Sequence, residues 1–349
     1  MRAGGWLRSR LFGFVLFGMV IAAFGLTVRS GYLLGLGVLI GINAVAALGL
    51  GLLMGCAGQI SLGHAGFYGL GAYASAILTT RFGLNPWLAL VLGALGTGLV
   101  AFAVGKPTLR LRGHYLAMGT LGLGMIIQTV FVQQANWTEG PSGITGIPPL
   151  SLGGLALSSD LRFYWLVWPV VVLVLILAGN LVNSRMGRAL RALGENEGAA
   201  AAAGVDVARA KLGIFTFSAV LASIAGSLYA HYVMFVNPSP FGFTLSIQLM
   251  TMVVVGGAMT VWGPLAGAAA LTVLHQVLAI TAQRVPAMEG LEVVAYGAVL
   301  ILFLLFRPQG LVAPLRRRRL TAAPPSEPPR PRPSAVGARG EGAGGEASP

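Results

Sequence analysis

Long apolar runs, separated by short polar or glycine- and proline-bearing segments, follow one another along most of the chain. The runs are continuously apolar and do not alternate with a period of two, which indicates helices rather than barrel strands. Each is close to the ~20 residues that a helix needs to cross ~30 Å of hydrocarbon. The pattern predicts about ten membrane spans, near residues 11–28, 33–54, 58–80, 87–105, 115–134, 163–182, 212–235, 246–262, 264–282 and 291–306.

The composition restricts the fold class to an all-α integral membrane protein, built as a polytopic helical bundle. Of the 349 residues, 56% are hydrophobic and 9% are charged, whereas a soluble domain carries about 25% charged residues. Such a chain has too few charged side chains to cover itself with a hydrated surface. This excludes a soluble enzyme and a soluble binding protein. The single cysteine, Cys56, excludes an intrachain disulfide framework.

The basic residues orient the predicted spans. If the N-terminus lies in the cytoplasm, all 23 Lys and Arg residues fall on the cytoplasmic side except Arg29, Arg81, Arg162 and Arg284. Because of this positive-inside asymmetry, we expect both termini in the cytoplasm and the chain in the inner (cytoplasmic) membrane. The first span lacks a small-x-small cleavage site and is expected to be retained. The net charge of +13 is then explained by orientation and by contact with membrane lipid, and it requires no nucleic acid.

The chain divides into a basic N-terminus (1–10), a membrane domain (11–306) and a basic, Pro/Gly-rich tail (307–349) that is expected to be disordered. Within the membrane domain, segment 135–162 is rich in Gly, Pro, Ser and Thr and is expected to form turns on the outer face. Segment 183–211 is rich in strong helix formers, which predicts one or two short helices on the cytoplasmic surface. An amphipathic helix that rests on lipid is the alternative for this segment.

Two glycine-rich segments, 55–72 and 255–267, interrupt the apolar runs. Glycines beside polar groups mark places where a membrane helix breaks next to a cavity, so the first segment supplies candidates for a translocation path. These candidates are Gln59, Ser61, His64 and Tyr68. Their alternative role is helix packing. Both breaks are expected near the cytoplasmic end, and no internal repeat is predicted.

No catalytic constellation is recognisable, so neither enzyme activity nor a cofactor is expected for this chain. A phosphate-binding loop is missing, because Gly105 and Lys106 are followed by Pro107. The four histidines have no second ligand at metal spacing, so no metal site is expected. No acidic residue is predicted at mid-membrane, where an ion-coupled secondary carrier would place one. Energy must then come from a separate motor, unless the chain is a passive channel or such a carrier.

Four segments resemble the LivM-type permease subunits of branched-chain amino acid ABC importers. They are Gly55–Ala76 (GCAGQISLGHAGFYGLGAYASA), Lys106–Gly122 (KPTLRLRGHYLAMGTLG), Gly187–Ala230 (GRALRALGENEGAAAAAGVDVARAKLGIFTFSAVLASIAGSLYA) and Phe306–Leu311 (FRPQGL). The matching segments occur in the family's order and leave out the first span and the tail. The resemblance implies that residues 11–306 form a permease domain of the ABC importer type.

The resemblance also implies partners. This chain would pair with a second, LivH-like permease as a heterodimer, and two cytoplasmic ATPase subunits, which use the ATP, and an extracytoplasmic amino-acid-binding protein would complete the importer. The loop 183–211 would be the coupling loop on which the ATPases dock. Its matching residues are Gly187, Arg188, Arg191, Glu195, Asn196, Ala199, Ala200 and Gly204. The loop departs from the general ABC pattern of Glu-Ala-Ala before a glycine, since Gly198 occupies the position of the glutamate.

The cargo implied by the resemblance is leucine, isoleucine and valine. A mostly apolar path with a few hydroxyl and amide groups suits a zwitterion with an aliphatic side chain. Related permeases carry urea or short-chain amides, which are the alternative cargo. A passive channel or an ion-coupled secondary carrier is the alternative of another class.

Overall fold

A computed structural model describes residues 3–111, 113–284, 291–306 and 310–312. Its first seven helices are α1 (Ala3–Thr27), α2 (Gly31–Ala57), α3 (His64–Thr80), α4 (Pro86–Thr108), α5 (His114–Gln133), α6 (Ala135–Thr138) and α7 (Asp160–Asn183). The other helices are α8 (Arg185–Glu195), α9 (Glu197–Ala202), α10 (Val207–Val233), α11 (Phe243–Gly256), α12 (Gly263–Arg284) and α13 (Leu291–Phe306). The tail predicted at 307–349 lies outside the described residues, apart from 310–312.

Short strands occur only in the connections of the described chain. They are β1 (Ile144–Thr145), β2 (Ser151–Leu152), β3 (Leu155–Ala156) and β4 (Phe235–Val236), and two 3-10 turns lie at Gly140–Ser142 and Ser239–Phe241. The strands form two antiparallel pairs, β1 with β4 and β2 with β3. We call the end of the bundle with these strands the hairpin end, and the opposite end, where α8 and α9 lie, the α8 end.

Six helices of the described chain are long and apolar enough to cross a membrane: α2, α4, α5, α7, α10 and the segment Gly263–Thr281 of α12. This makes the chain a multi-pass membrane protein. Helix α3 has 17 residues, at the lower limit of about 17 for a full crossing, and α11 has 14, which is below it. The predicted total of about ten spans therefore stays a prediction.

Helix α2 forms the centre of the bundle. Its residues Val38, Ile42, Val45 and Leu50 are completely buried. A helix that is apolar all round belongs in the interior of a bundle, and the sequence of α2 has no polar face that could meet water. Helices α7, α10 and α12 pack around it.

Helix α3 packs very closely against α10. A Cβ atom at Gly226 of α10 would collide with the carbonyl oxygen of Tyr68, so only glycine allows this approach. The two helices run in the same direction, since His64 and Ser75 of α3 contact Ser218 and Ser227 of α10 in the same order.

The first residue of α3 lies inside the bundle and not at its surface. Nε2 of His64 is 2.6 Å from Oγ of Ser218, which is near the middle of the 27-residue helix α10. Helix α2 ends at the α8 end of the bundle with Gly58 in the left-handed conformation (φ 62°), a common way to terminate a helix. Residues 59–63 then return into the bundle without helical structure. The predicted span 58–80 is thus a helix of 17 residues that a re-entrant segment precedes.

Helix α11 begins at the same level as α3 and runs the other way. The N–H group of Ala65 donates to Oγ of Ser246 over 3.2 Å, and α11 then continues to the α8 end, where Gly257 (φ 108°) follows its last residue. The segment 234–242 enters the bundle from the hairpin end. A re-entrant segment followed by a short helix therefore occurs twice, with opposite direction. The prediction of no internal repeat rests on a comparison of 55–72 with 255–267; the two segments that stand in this relation are 59–63 and 234–242.

The chain after α13 returns to the end of α11. The N–H group of Leu311 donates to the oxygen of Val255 (2.8 Å), and that of Val312 donates to the oxygen of Gly256 (3.0 Å). These bonds satisfy carbonyl groups that have no partner within helix α11. The end of the FRPQGL segment is thereby tied to the α8 end of the bundle.

Candidate functional site

The first candidate site is the loop 183–211, which holds α8 and α9 at one end of the bundle. Leu190 and Leu193 are buried, with exposures of 1% and 2%. A Cβ atom at Gly187 would collide with the carbonyl oxygen of Leu181, and one at Gly194 would lie 2.9 Å from the oxygen of Cys56. Small residues thus let α8 lie directly on the ends of α2 and α7.

Exposed charged residues lie along the rest of the α8 surface, and Arg191 and Glu195 among them border a cavity beside the end of α2. Arg188, Arg191 and Glu195 are exposed, and the described protein provides Arg188 only with the carbonyl oxygen of Asn183 as a hydrogen-bond acceptor, at 3.2 Å from Nη1. An amphipathic helix fixed by its apolar face leaves such charges available to a partner. A cavity of about 260 Å³ separates part of α8 from the end of α2 and from residues 258–261.

Side-chain caps fix the ends of the helices in this loop. Oγ of Ser184 accepts from the N–H group of Gly187 at the start of α8 (3.1 Å). Oδ1 of Asn196 accepts from the N–H group of Ala199 at the start of α9 (3.0 Å). Each such cap contributes about 1 kcal/mol to helix stability. The caps make the loop a rigid unit rather than a flexible connection.

Helix α9 is joined to α10 by a largely buried ion pair. Nζ of Lys211 contacts Oε1 of Glu197, with side-chain exposures of 6% and 34%. Ala200 is buried, and Gly204 takes a left-handed conformation (φ 83°) in the turn between the two helices. A displacement of α9 must therefore be passed on to α10.

The residues that sequence analysis assigned to the coupling loop fall into two groups. Gly187 and Ala200 are buried and serve packing. The exposed ones are Arg188, Arg191, Glu195, Asn196, Ala199 and Gly204. Only this second group is available for contact with another protein.

The second candidate site is a cavity of about 440 Å³ between α2, α3, α10, α11 and α12, which we call the polar cavity. Its size is within the range of small-molecule sites. Its lining residues include Leu39, Asn43, Tyr68, Tyr229, Phe241, Thr244, Leu245, Gln248, Met252, Thr272, His275 and Gln276. None of the described residues that line it is Asp, Glu, Lys or Arg.

Tyr68 connects the sequence-predicted path to this cavity. Its ring centroid lies 5.8 Å from that of Phe241 and 5.9 Å from that of Tyr229. On the opposite side of the cavity, Nδ2 of Asn43 donates to Oγ1 of Thr272 over 3.0 Å. The wall therefore combines aromatic and aliphatic surface with neutral polar groups.

The other three predicted path residues are buried between helices and do not line the polar cavity. Ser61 and Ser218 lie on the two sides of the His64 ring, with oxygen–nitrogen distances of 2.8 and 2.6 Å. Gln59 is buried as well, and neither its amide nitrogen nor its amide oxygen has a hydrogen-bond partner within the described part of the chain.

Most residues of the cavity wall were missed by sequence analysis. Asn43 and Gln248 are single amides within apolar helices, and Gln276 directly follows His275 in a third, so the sequence alone did not relate the three residues to one another. A usable signal exists on α11, since Thr244 and Gln248 are four residues apart and lie on one face of a helix. The sequence Asn-Pro-Ser-Pro at 237–240 could also have located the re-entrant segment before α11.

Comparison with known proteins identifies one family. The family profile described as "Branched-chain amino acid transport system / permease component" matches residues 32–305. The high-affinity branched-chain amino acid transport system permease protein LivM of Salmonella typhimurium is 33% identical over 304 residues, which cover 80% of this chain and 68% of that protein. LivH of the same organism is 26% identical over 297 residues, or 79% of this chain and 93% of the relative.

Similarity extends to a protein named for another cargo. The nucleoside ABC transporter permease protein NupC of Lactococcus lactis is 30% identical over 188 residues, which cover 50% of this chain and 59% of that protein. No solved structure matches the chain.

Proposed function

The chain belongs to the family of branched-chain amino acid transport permeases, and on this premise we propose that it is a membrane-spanning subunit of an ATP-driven importer of leucine, isoleucine and valine. The observation that carries the proposal is the similarity to LivM over 80% of this chain. The family consists of transport subunits rather than enzymes, and the energy for import comes from ATP that partner subunits hydrolyse.

We further propose the assembly and its orientation. The chain crosses the inner membrane about ten times, with both termini and the loop 183–211 in the cytoplasm. It pairs with a LivH-like permease, and two ATPases and an extracytoplasmic amino-acid-binding protein complete the importer. The exposed charges of Arg188, Arg191 and Glu195 support docking of an ATPase on α8.

The path for the cargo includes the four residues predicted from sequence, Gln59, Ser61, His64 and Tyr68. This assignment is supported by the position of the four residues in α3 and in the re-entrant segment before it. Polar groups at this depth are expensive to bury in a membrane protein unless they serve a path or a packing bond. The polar cavity beside Tyr68, with a volume of about 440 Å³, is large enough for an amino acid.

Two experiments test the proposal. Uptake of labelled leucine in cells that express the complete importer should depend on ATP hydrolysis and compete with isoleucine and valine. Competition by urea, short amides or nucleosides instead would assign another cargo. Purification of the chain should retain an ATPase subunit, and deletion of residues 187–204 should abolish this retention while the chain still inserts into the membrane. Conduction by the chain alone, or uptake driven by an ion gradient without ATPases, would contradict the proposal.

A further inference from the structure

The N-terminus of α11 opens onto the polar cavity without a side-chain cap. Its N-cap residue is Gly242, which has no side chain to accept from the first N–H groups of the helix. Thr244 and Leu245, in the first turn, line the cavity. The N–H groups of a first turn have no acceptor within the helix, and the helix dipole places partial positive charge there. Such an end favours an anionic group as ligand.

A second and independent observation concerns the hydroxyl group of Tyr68. Tyr68 is only 3% exposed and lines the same cavity, yet its oxygen forms no hydrogen bond within the described residues. The hydroxyl oxygen is not one of the completely enclosed side-chain atoms that lack a partner, so it has access to the cavity and can donate to a ligand there. Since Tyr68 stacks obliquely against Phe241, two residues before α11 begins, its free hydroxyl lies on the wall next to the helix end.

The remaining wall determines what kind of anionic group fits. Amides of Asn43 and Gln248 supply neutral acceptors, and Leu39, Leu245 and Met252 supply apolar surface. The described lining residues include the imidazole of His275 but no Asp, Glu, Lys or Arg, so the wall has no carboxylate, ammonium or guanidinium group to pair with a ligand that carries a net charge. A ligand with one carboxylate, a compensating ammonium group and an aliphatic part matches all three features.

We propose that the polar cavity is a binding site for the transported amino acid, with its carboxylate at the N-terminus of α11 beside the hydroxyl of Tyr68. The amide oxygens of Asn43 and Gln248 accept from the ammonium group, and the aliphatic side chain packs on Leu39, Leu245 and Met252. The ligand class rests on the proposed function. The permease therefore selects its cargo itself, in addition to any selection by a binding protein.

The first test uses the full chain in lipid nanodiscs, together with the subunits that copurify with it. Binding of radiolabelled L-leucine is measured in competition with leucinamide, which lacks the carboxylate, and with 4-methylpentanoate, which lacks the ammonium group. We expect unlabelled leucine to compete best, 4-methylpentanoate more weakly and leucinamide at least roughly tenfold more weakly than leucine, since the lost bonds are charge-assisted. Equal competition by leucinamide would overturn the carboxylate assignment.

The second test uses variants of the cavity wall. Tyr68→Phe removes one hydroxyl group and should weaken leucine binding roughly five- to tenfold, as expected for a hydrogen bond to a charged group. Tyr115→Phe, at an exposed position of α5, is the matched control and should bind as the unmodified chain does. In a Cys56→Ala background, Thr244→Cys should be protected by leucine from a small thiol reagent, and Leu155→Cys at the hairpin end should not.

The outcomes separate this inference from the proposed function. ATP-dependent leucine uptake with unchanged affinity in Tyr68→Phe and no protection of Thr244→Cys at millimolar leucine would overturn the cavity site and leave the proposed function standing. Absence of leucine uptake, with uptake of a cargo that has no carboxylate, would overturn both. Uptake, protection and weaker binding by Tyr68→Phe together would establish the site.

Discussion

Lys211 of α10 is buried against Glu197 of α9, so the loop 183–211 and the helix that contacts the start of α3 share one ion pair. Helix α10 also holds Ser218, which contacts His64 at the start of α3. A force on α9 thus has a short structural route to the centre of the bundle. This route connects the proposed docking surface with the proposed path.

Replacement of Lys211 by Met should uncouple ATP hydrolysis from uptake. Removal of one partner leaves the other charge partly buried and costs up to about 3 kcal/mol, less than for a fully buried pair because Glu197 is 34% exposed. Uptake, ATPase rate and thermal unfolding of the purified complex measure the effect. The control is Arg209→Met, which breaks the exposed pair with Asp206 and should cost less than about 1 kcal/mol. Equal effects of the two variants would contradict the role of the buried pair.

Gly194→Val should displace α8 from the end of α2. The added side chain would meet the backbone at Cys56, and overpacking of this kind costs about 1–3 kcal/mol. We expect an ATPase to copurify but leucine uptake to fall strongly. Ala192→Val, on the exposed side of the same helix, should retain uptake. A normal uptake rate for Gly194→Val would show that close contact of α8 with α2 is not needed.

Arg191→Glu should weaken attachment of the ATPase without a change in stability. Arg191 is exposed, so the reversal disturbs no internal packing, and a single surface charge contributes about 1 kcal/mol, or about fivefold in affinity. Titration of the purified ATPase at low and high salt measures the effect, which should shrink at high salt. Arg29→Glu, exposed at the hairpin end, should leave the affinity unchanged. Loss of affinity in both variants would point to a non-specific charge effect.

Gln59→Met should stabilise the protein and slow transport. An amide buried without partners costs about 1–3 kcal/mol, which Met avoids at similar size. We infer that the amide finds partners in another conformation of the transport cycle. Thermal unfolding should occur at a higher temperature and uptake should fall, whereas Gln134→Met, at an exposed position, should change neither. Higher stability with normal uptake would remove Gln59 from the path.

The helices of this protein could be predicted from sequence because each depends on local apolar composition. The predicted segment 163–182 falls within α7, and 87–105 falls within α4. The glycines and polar residues of 55–72 indicated a break, but the exact start of α3 could not be predicted, because it depends on contacts with distant residues. It is the turn at Gly58 and the distant contact of His64 with Ser218 that place the helix start inside the bundle.

The two candidate sites also differ in how far the sequence alone could predict them. The loop 183–211 is continuous in sequence, so its composition and its family resemblance were both visible. Five helices contribute residues to the wall of the polar cavity. The hydrogen bond between Asn43 and Thr272 in this wall joins residues that are 229 positions apart. No local pattern contains such a pair. Only Tyr68 was found in advance, because it stands in a segment whose glycines already indicated a break.

The shared starting level of α3 and α11 has an electrical consequence. Two helix N-termini meet where Ala65 and Ser246 are bonded, so the centre of the bundle carries partial positive charge from both. Positive helix ends in a membrane pore repel protons and metal cations. A zwitterion has no net charge and is not opposed in this way. On the proposed path, a zwitterionic cargo would therefore pass while protons and metal cations are held back and the membrane potential is preserved.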